Sequence, residues 1–325
     1  MRHFLSAADL TRDAALGLFA LAADDKQRRK AGRLTTPLAG KTFALIFEKP
    51  SLRTRVTFEV GIIQLGGRAV HLVGRDIGLG TRESVPDVAR NLSLWVDGIM
   101  ARVYSHSTIT ALARHASVPV INGLSDREHP CQALADFFTL WERGVDFAKI
   151  RIAWIGDGNN VLNSWLEAAT LFGFRLQIAV PDGFEPDAGL YLEAERRSTG
   201  GVRRTRDPHE AARGADVVYT DTWTSMGQEH DADWRRVVFA GYKVDPALMA
   251  LAKPDALFMH CLPAHRGEEV TDEVLDGPQS IIVEQAENRL HLQKALMLSL
   301  LGMRTGALPT RRPRTTHAVA VGAGA

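Results

Sequence analysis

Short apolar runs alternate with segments of helical periodicity along almost the whole of this chain of 325 residues. Runs that read as strands fall at 41–47, 69–73, 98–103 and 118–122, and again at 151–156, 175–180, 216–220, 256–262 and 280–284. Strands that alternate with helices imply mostly parallel sheets with helices on both faces, an α/β fold. Nine strands are many for one open sheet, so two αβ domains of about equal size are expected, joined near Glu142–Lys149. The first would span 1–147 and the second 148–286. A C-terminal helix at 287–304, patterned by Leu290, Ala295, Leu298 and Leu301, would close the first. Residues 306–325 contain Arg311-Arg312-Pro313-Arg314 and then small residues. They carry too little apolar surface to fold alone, and disorder is expected there.

Composition removes several classes of function. A net charge of +1 gives no electrostatic case for nucleic acid or an anionic membrane surface. No apolar run approaches the ~20 residues of a membrane span, and the N-terminus lacks the apolar core of a signal peptide. Cys131 and Cys261 are the only cysteines. That argues against a disulfide framework or a structural zinc site and fits a reducing cytoplasm.

Five segments carry residues suited to chemistry. In Phe47-Glu48-Lys49-Pro50-Ser51-Leu52-Arg53-Thr54-Arg55 a strand hands over to a helix. Pro50 suits a first helical turn and Ser51 a cap. A helix N-terminus with Ser51, Arg53, Thr54 and Arg55 makes a dianion site, although a capped, solvated basic helix start would look similar. His129-Pro130-Cys131-Gln132 opens a second helix, where His129 and Gln132 can hold a carbonyl and an amide or simply cap. Gly156-Asp157-Gly158-Asn159-Asn160-Val161 is tempting as a dinucleotide fingerprint, but Val161 occupies the third glycine position. Its two amides suit a carboxylate or amide ligand instead. Asp221, after the run Val217-Val218-Tyr219-Thr220, can pair with an ammonium supported by Ser225, or serve as a loop cap. In Met259-His260-Cys261-Leu262-Pro263 a thiol lies beside a histidine, but adjacent strand residues face opposite ways, so His260 cannot readily activate Cys261.

Together these segments resemble, in order, the motifs of the transcarbamoylases, which transfer the carbamoyl group of carbamoyl phosphate. Ser51-Leu52-Arg53-Thr54-Arg55 is similar to the family's phosphate loop. By that likeness Ser51, Leu52, Arg53 and Thr54 bind phosphate, and Arg102, at the end of the run 98–103, meets the carbonyl and phosphate oxygens. His129 and Gln132 would hold the carbamoyl group, and Arg289 of Glu287-Asn288-Arg289 would be the last phosphate-side arginine. Leu52 stands where the family usually has Thr, which removes one side-chain hydrogen bond but leaves its backbone N–H. Asp76–Ser84 resembles the family's flexible loop, with no contact assigned. The Asn159-Asn160, Ser225-Met226-Gly227 and His260-Cys261-Leu262-Pro263 stretches resemble the ornithine-specific branch. The resemblance places Asn160, Asp221, Ser225, Met226, Cys261 and Leu262 around the amino acid.

What the resemblance implies is transfer from carbamoyl phosphate to the δ-amine of L-ornithine, giving L-citrulline and phosphate. Arg102, His129, Asp221 and Cys261 are the expected catalytic residues. No metal or organic cofactor, a cytoplasmic location and a homotrimer are also implied. The alternatives are a sister enzyme acting on putrescine or N-acetylornithine, a Rossmann oxidoreductase, and a catalytically silent binding protein.

Overall fold

The structure, a computed structural model, describes residues 2–225 and 229–303; Met226 and the tail at 306–325 lie outside them. The first half runs α1 (Arg12–Lys30), β1 (Thr42–Phe47), α2 (Leu52–Gln64), β2 (Arg68–Val73), α3 (Gly74–Ile77), α4 (Val85–Trp95), β3 (Gly98–Arg102), α5 (His106–His115), β4 (Val120–Leu124) and α6 (Pro130–Glu142). The second half runs β5 (Arg151–Ile155), α7 (Asn160–Phe172), β6 (Arg175–Ala179), α8 (Ala188–Arg197), β7 (Val202–Thr205), α9 (Pro208–Ala212), β8 (Val217–Thr220), α10 (Ala232–Phe239), α11 (Pro246–Met249), β9 (Leu257–His260), α12 (Asp272–Leu275) and α13 (Ile282–Leu300). Strand order is β2-β1-β3-β4 in one sheet and β7-β6-β5-β8-β9 in the other. Every paired strand in both sheets is parallel.

Three apolar layers follow from the period-2 alternation of strand side chains. Phe43 and Leu45 of β1, Trp154 of β5 and Tyr219 of β8 face a shared central layer that also contains α6, α7 and much of α13. Their strand neighbours Ala44 and Ile46 face an outer layer with α4 and α5. Ala153, Ile155 and Val218 face the other outer layer, with Phe239, Leu248 and Val274. The inner strands are covered on both faces, which is why they read as unbroken apolar runs.

Eight of the nine strand expectations correspond to observed strands; the ninth does not. Residues 280–284 form only an isolated bridge, Phe258 to Ser280, before α13 begins at Ile282. A short β-branched run cannot be told from a helix start by periodicity alone. The strand missing from the sequence reading is β7, an edge strand in which only Val202 is buried while Arg203 and Arg204 are exposed. Among the described residues no helix is long and apolar enough to cross a membrane.

Helix α13 packs on α6, α1 and α2 and so returns the end of the chain to the first sheet's helices. Helix α6 is buried from Pro130 to Trp141. Its Phe137 is fully buried, with ring centroids 4.7 Å from Trp165, 4.9 Å from Phe174 and 5.2 Å from Phe172. These partners belong to the second half, so this aromatic cluster joins the halves. Phe137→Ala should destabilise the protein by about 3–5 kcal/mol, since the cavity has rigid aromatic walls. Urea unfolding checks this; a loss under about 1 kcal/mol, the ordinary cost of a point mutation, would show that the cluster does not hold the halves together.

Candidate active site

In an open parallel sheet, ligands bind beyond the strands' carboxyl ends, where the strand order reverses direction. The first sheet reverses between β1 and β3, and the second between β5 and β8. Ser51, Arg53 and Thr54 follow β1, and Arg102 ends β3. Asn159 and Asn160 follow β5, and Asp221 follows β8. Topology alone therefore brings these residues to two crevices.

At the first crevice, Ser51 caps α2 by accepting a hydrogen bond from the Thr54 N–H at 3.2 Å. Pro50 precedes the cap rather than entering the first turn, so the cap falls to Ser51 alone. Leu52 is 72% exposed, leaving its backbone as its contribution to the helix start. The Thr54 hydroxyl is fully buried and accepts from Arg289 Nη2 at 2.8 Å. Arg289 Nη1 donates to Gln132 Oε1 at 2.7 Å. His129 caps α6 through its backbone, with Pro130 in the first turn, and its own N–H donates to Ser164 Oγ at 2.9 Å. His129 Nδ1 and Arg289 Nε are buried without a hydrogen-bond partner among the described residues.

Three guanidiniums converge here. Burial, then Arg289 and Arg53, push Arg102 down to about 10. Burial likewise lowers Arg53 and Arg289. All three remain cations at neutral pH and oppose one another, so this crevice strongly favours an anion of more than one charge. Burial and the same three arginines hold the His129 pKa well below its ordinary value. His129 is therefore neutral and can donate from one ring nitrogen without adding charge.

The second crevice carries the opposite sign. The Asp221 carboxylate accepts from Asn159 Nδ2 at 2.7 Å, from the Thr222 N–H at 2.8 Å and from the Cys261 thiol at 2.9 Å. Burial and the adjacent Asp221 push the Cys261 thiol far up, so it stays protonated and acts as a donor, not a nucleophile. His260 turns the other way: its ring lies 3.1 Å from Glu269 Oε1 and accepts from the Leu262 N–H at 2.8 Å. Leu262 has φ 58°, a left-handed conformation costly for a leucine, which directs the chain away from β9. Asn160 does not join Asp221; its Nδ2 donates to the Ser125 carbonyl at 2.7 Å, tying α7 to the first half. Ser225 is half-buried in the loop after Asp221. The Asp221 charge acts on Arg53 across the gap, so the two crevices face each other.

Sequence reasoning gave Asn159 only an amide suited to a ligand; the structure has it hold Asp221 while capping α7 through bonds from Val161 and Leu162 N–H groups. The adjacent amides were the available signal, since the cap position is the one preferred for Asn. Asp221, His260 and Cys261 each offer an atom within 4.8 Å of the others, as a metal site would. Each of those atoms is already engaged by protein.

Comparison with known proteins gives the family. Residues 2–142 match the family model described as the aspartate/ornithine carbamoyltransferase carbamoyl-P binding domain, and 148–300 match its Asp/Orn binding domain. Ornithine carbamoyltransferase from Geobacter metallireducens is 49% identical over 92% of this chain and 99% of its own. That from Methanosarcina mazei is 51% identical over 92% and 99%. The solved ornithine carbamoyltransferase from Pyrococcus furiosus superposes with a TM-score of 0.90 at 48% identity, covering 93% of this chain and 97% of that one. A cationic crevice facing an acidic one, on two parallel sheets matched end to end by such relatives, places the chain in the aspartate/ornithine carbamoyltransferase family.

Proposed function

We infer that this enzyme transfers the carbamoyl group of carbamoyl phosphate to the δ-amine of L-ornithine, giving L-citrulline and phosphate. The observation that carries the reading is the facing pair of crevices. One gathers Arg53, Arg102 and Arg289 and suits a dianion; the other presents Asp221 and suits an ammonium. Carbamoyl phosphate falls to residues 1–147 with the closing helix, and ornithine to residues 148–286. Ser51, the Leu52 N–H, Arg53, Thr54 and Arg289 hold the phosphate as it gains charge. Arg102 and neutral His129 meet the oxyanion that develops on the carbonyl, with Gln132 on the carbamoyl amide. Asp221 and Ser225 bind the α-ammonium, Asn160 and the Met226 backbone the carboxylate, and Cys261 and Leu262 line the path of the attacking amine.

A homotrimer in the cytoplasm completes the reading. Leu52, Val56 and Ile63 of α2 and Val70 and Val73 of β2 are exposed, apolar surface of the kind that self-association covers. Both cysteines are free thiols, which fits a reducing compartment.

Arg53→Ala should lower kcat/KM by at least about 10²–10³, the worth of one strong oxyanion donor, without changing the circular dichroism spectrum. Near wild-type turnover would remove Arg53 from the phosphate site.

The pH profile separates His129 from the substrate. Only the neutral δ-amine attacks, and at a lysine-like pKa near ~10.4 roughly one molecule in a thousand is neutral at pH 7.4. Activity at subsaturating ornithine should therefore climb from about pH 6.5 to 8.5. The lowered pKa of His129 means that it is already deprotonated across that range. The His129 ring resonances should show no titration where the rate rises; a midpoint within that range would contradict its neutral role.

Asp221→Asn removes the charge offered to the α-ammonium and should raise KM for ornithine roughly 10–100-fold, changing KM for carbamoyl phosphate far less. Putrescine lacks the carboxylate and N-acetylornithine the ammonium, and unpaired buried groups can discriminate by about 10⁴–10⁵. Competition kinetics decide: equal carbamoylation of either amine would keep the family and overturn the substrate.

A further inference from the structure

Asp136 lies one helical turn beyond Gln132 on α6, fully buried and outside both crevices. Its carboxylate accepts from donors on four elements. Gln132 Nε2 and Gln285 Nε2 each bond Oδ1 at 2.7 Å. Trp165 Nε1 and the Tyr219 hydroxyl each bond Oδ2 at 3.1 Å. In its ionised form, four donors leave neither oxygen open, and they oppose the effect of burial, which raises this carboxyl to about 7.

The consequence is directional. A glutamine that gives its NH₂ to Asp136 must aim its carbonyl the opposite way. Gln132 Oε1 thereby meets Arg289 Nη1 at 2.7 Å. Gln285 Oε1 meets the His260 N–H at 3.1 Å. Inverting either amide would set its carbonyl against the carboxylate and, for Gln132, its NH₂ against a guanidinium. The path continues at both ends. Arg289 reaches Thr54, and Cys261, next to His260, reaches Asp221. Gln285 and Arg289 are themselves one turn apart on α13, so α6 and α13 meet through two polar rungs, Gln132–Arg289 and Asp136–Gln285.

We propose that Asp136 is a positioning residue that orients Gln132 and Gln285 together and so couples the carbamoyl-phosphate crevice to the ornithine crevice. The proposal rests on the substrate reading above. Because both glutamines share Oδ1, a displacement of Arg289 on anion binding is felt by Gln285 and by the backbone that carries Cys261. Binding of one substrate then changes affinity for the other by a reciprocal factor, typically about 5–150 for coupled sites.

Norvaline keeps ornithine's α-amino and carboxylate groups and lacks the attacking amine, so it isolates binding from chemistry. Calorimetric titration of norvaline, with and without saturating carbamoyl phosphate, gives the coupling factor directly. Wild type should bind norvaline at least about fivefold more tightly with carbamoyl phosphate present. Asp136→Asn replaces an acceptor with a donor among four donors, and should bring the factor close to one. Gln285→Leu cuts the same path while leaving the Gln132–Arg289 rung, and should do likewise; it carries the test if Asp136→Asn does not fold. Tyr219→Phe removes a donor to Oδ2 and a long 3.4 Å bond from Gln285 Nε2 but keeps both short bonds to Oδ1, and should leave the factor near wild type. Full coupling in a folded Asp136→Asn or Gln285→Leu protein would overturn the proposal. Loss of coupling in Tyr219→Phe as complete as in the other variants would also overturn it, by showing that packing alone is involved. A wild-type protein that neither carbamoylates ornithine nor binds norvaline would instead refute the substrate reading.

Discussion

The site depends on one packing event, the docking of α13 onto α6. Polar side chains as well as apolar ones are buried at this seam. Asn288 donates to the Thr139 hydroxyl at 3.0 Å and to Glu142 Oε2 at 2.8 Å, and accepts from Lys26 Nζ at 2.6 Å. Arg289 and Gln285 add their bonds to Gln132 and Asp136. A buried polar group deprived of its partner costs about 1–3 kcal/mol, so sliding the helices by one turn would orphan several at once. Apolar packing alone tolerates such slips; this set of hydrogen bonds selects one register, and that register puts Arg289 beside Thr54.

Charge is distributed across the two crevices in the same economical way. The Arg289 guanidinium is fully desolvated and opposed by Arg53, with Asp136 among the nearby groups that offset the repulsion. Asp221, by contrast, is surrounded by neutral donors from Asn159, Thr222 and Cys261. Neutral donors stabilise the carboxylate without cancelling its charge, so its field remains available to a cationic ligand. A like arrangement with a lysine in place of Asn159 would satisfy the same hydrogen bond and abolish that field.

Much of this was legible before any coordinates. Strand signals located the parallel sheets because doubly covered strands are apolar throughout, and the candidate residues after those strands stand out because ligands bind at carboxyl ends. Ser51 and His129 were placed at helix starts by Pro and cap chemistry, and both occupy cap positions. Asp136 and Gln285 were not legible: each is a polar residue inside an apolar helical pattern, and they are 149 residues apart in sequence. The bond from the Asn160 amide to the Ser125 carbonyl, which ties α7 to the first half, has no local sequence signal either. Local pattern shows what a side chain can donate, whereas only the fold shows who receives it.

The placement of α13 also orders events during synthesis. A ribosome makes this helix after everything else in both sheets. Until then Gln132, Asp136 and Thr139 on α6 lack the partners that α13 supplies, and the cationic crevice lacks its third guanidinium. A nascent chain can assemble both sheets and still present a bare, half-polar helix at its centre, a surface open to chaperones and proteases. Chains that end before Ile282 are thus marked as incomplete by their own structure, while a finished chain conceals that surface in the same step that completes the anion site.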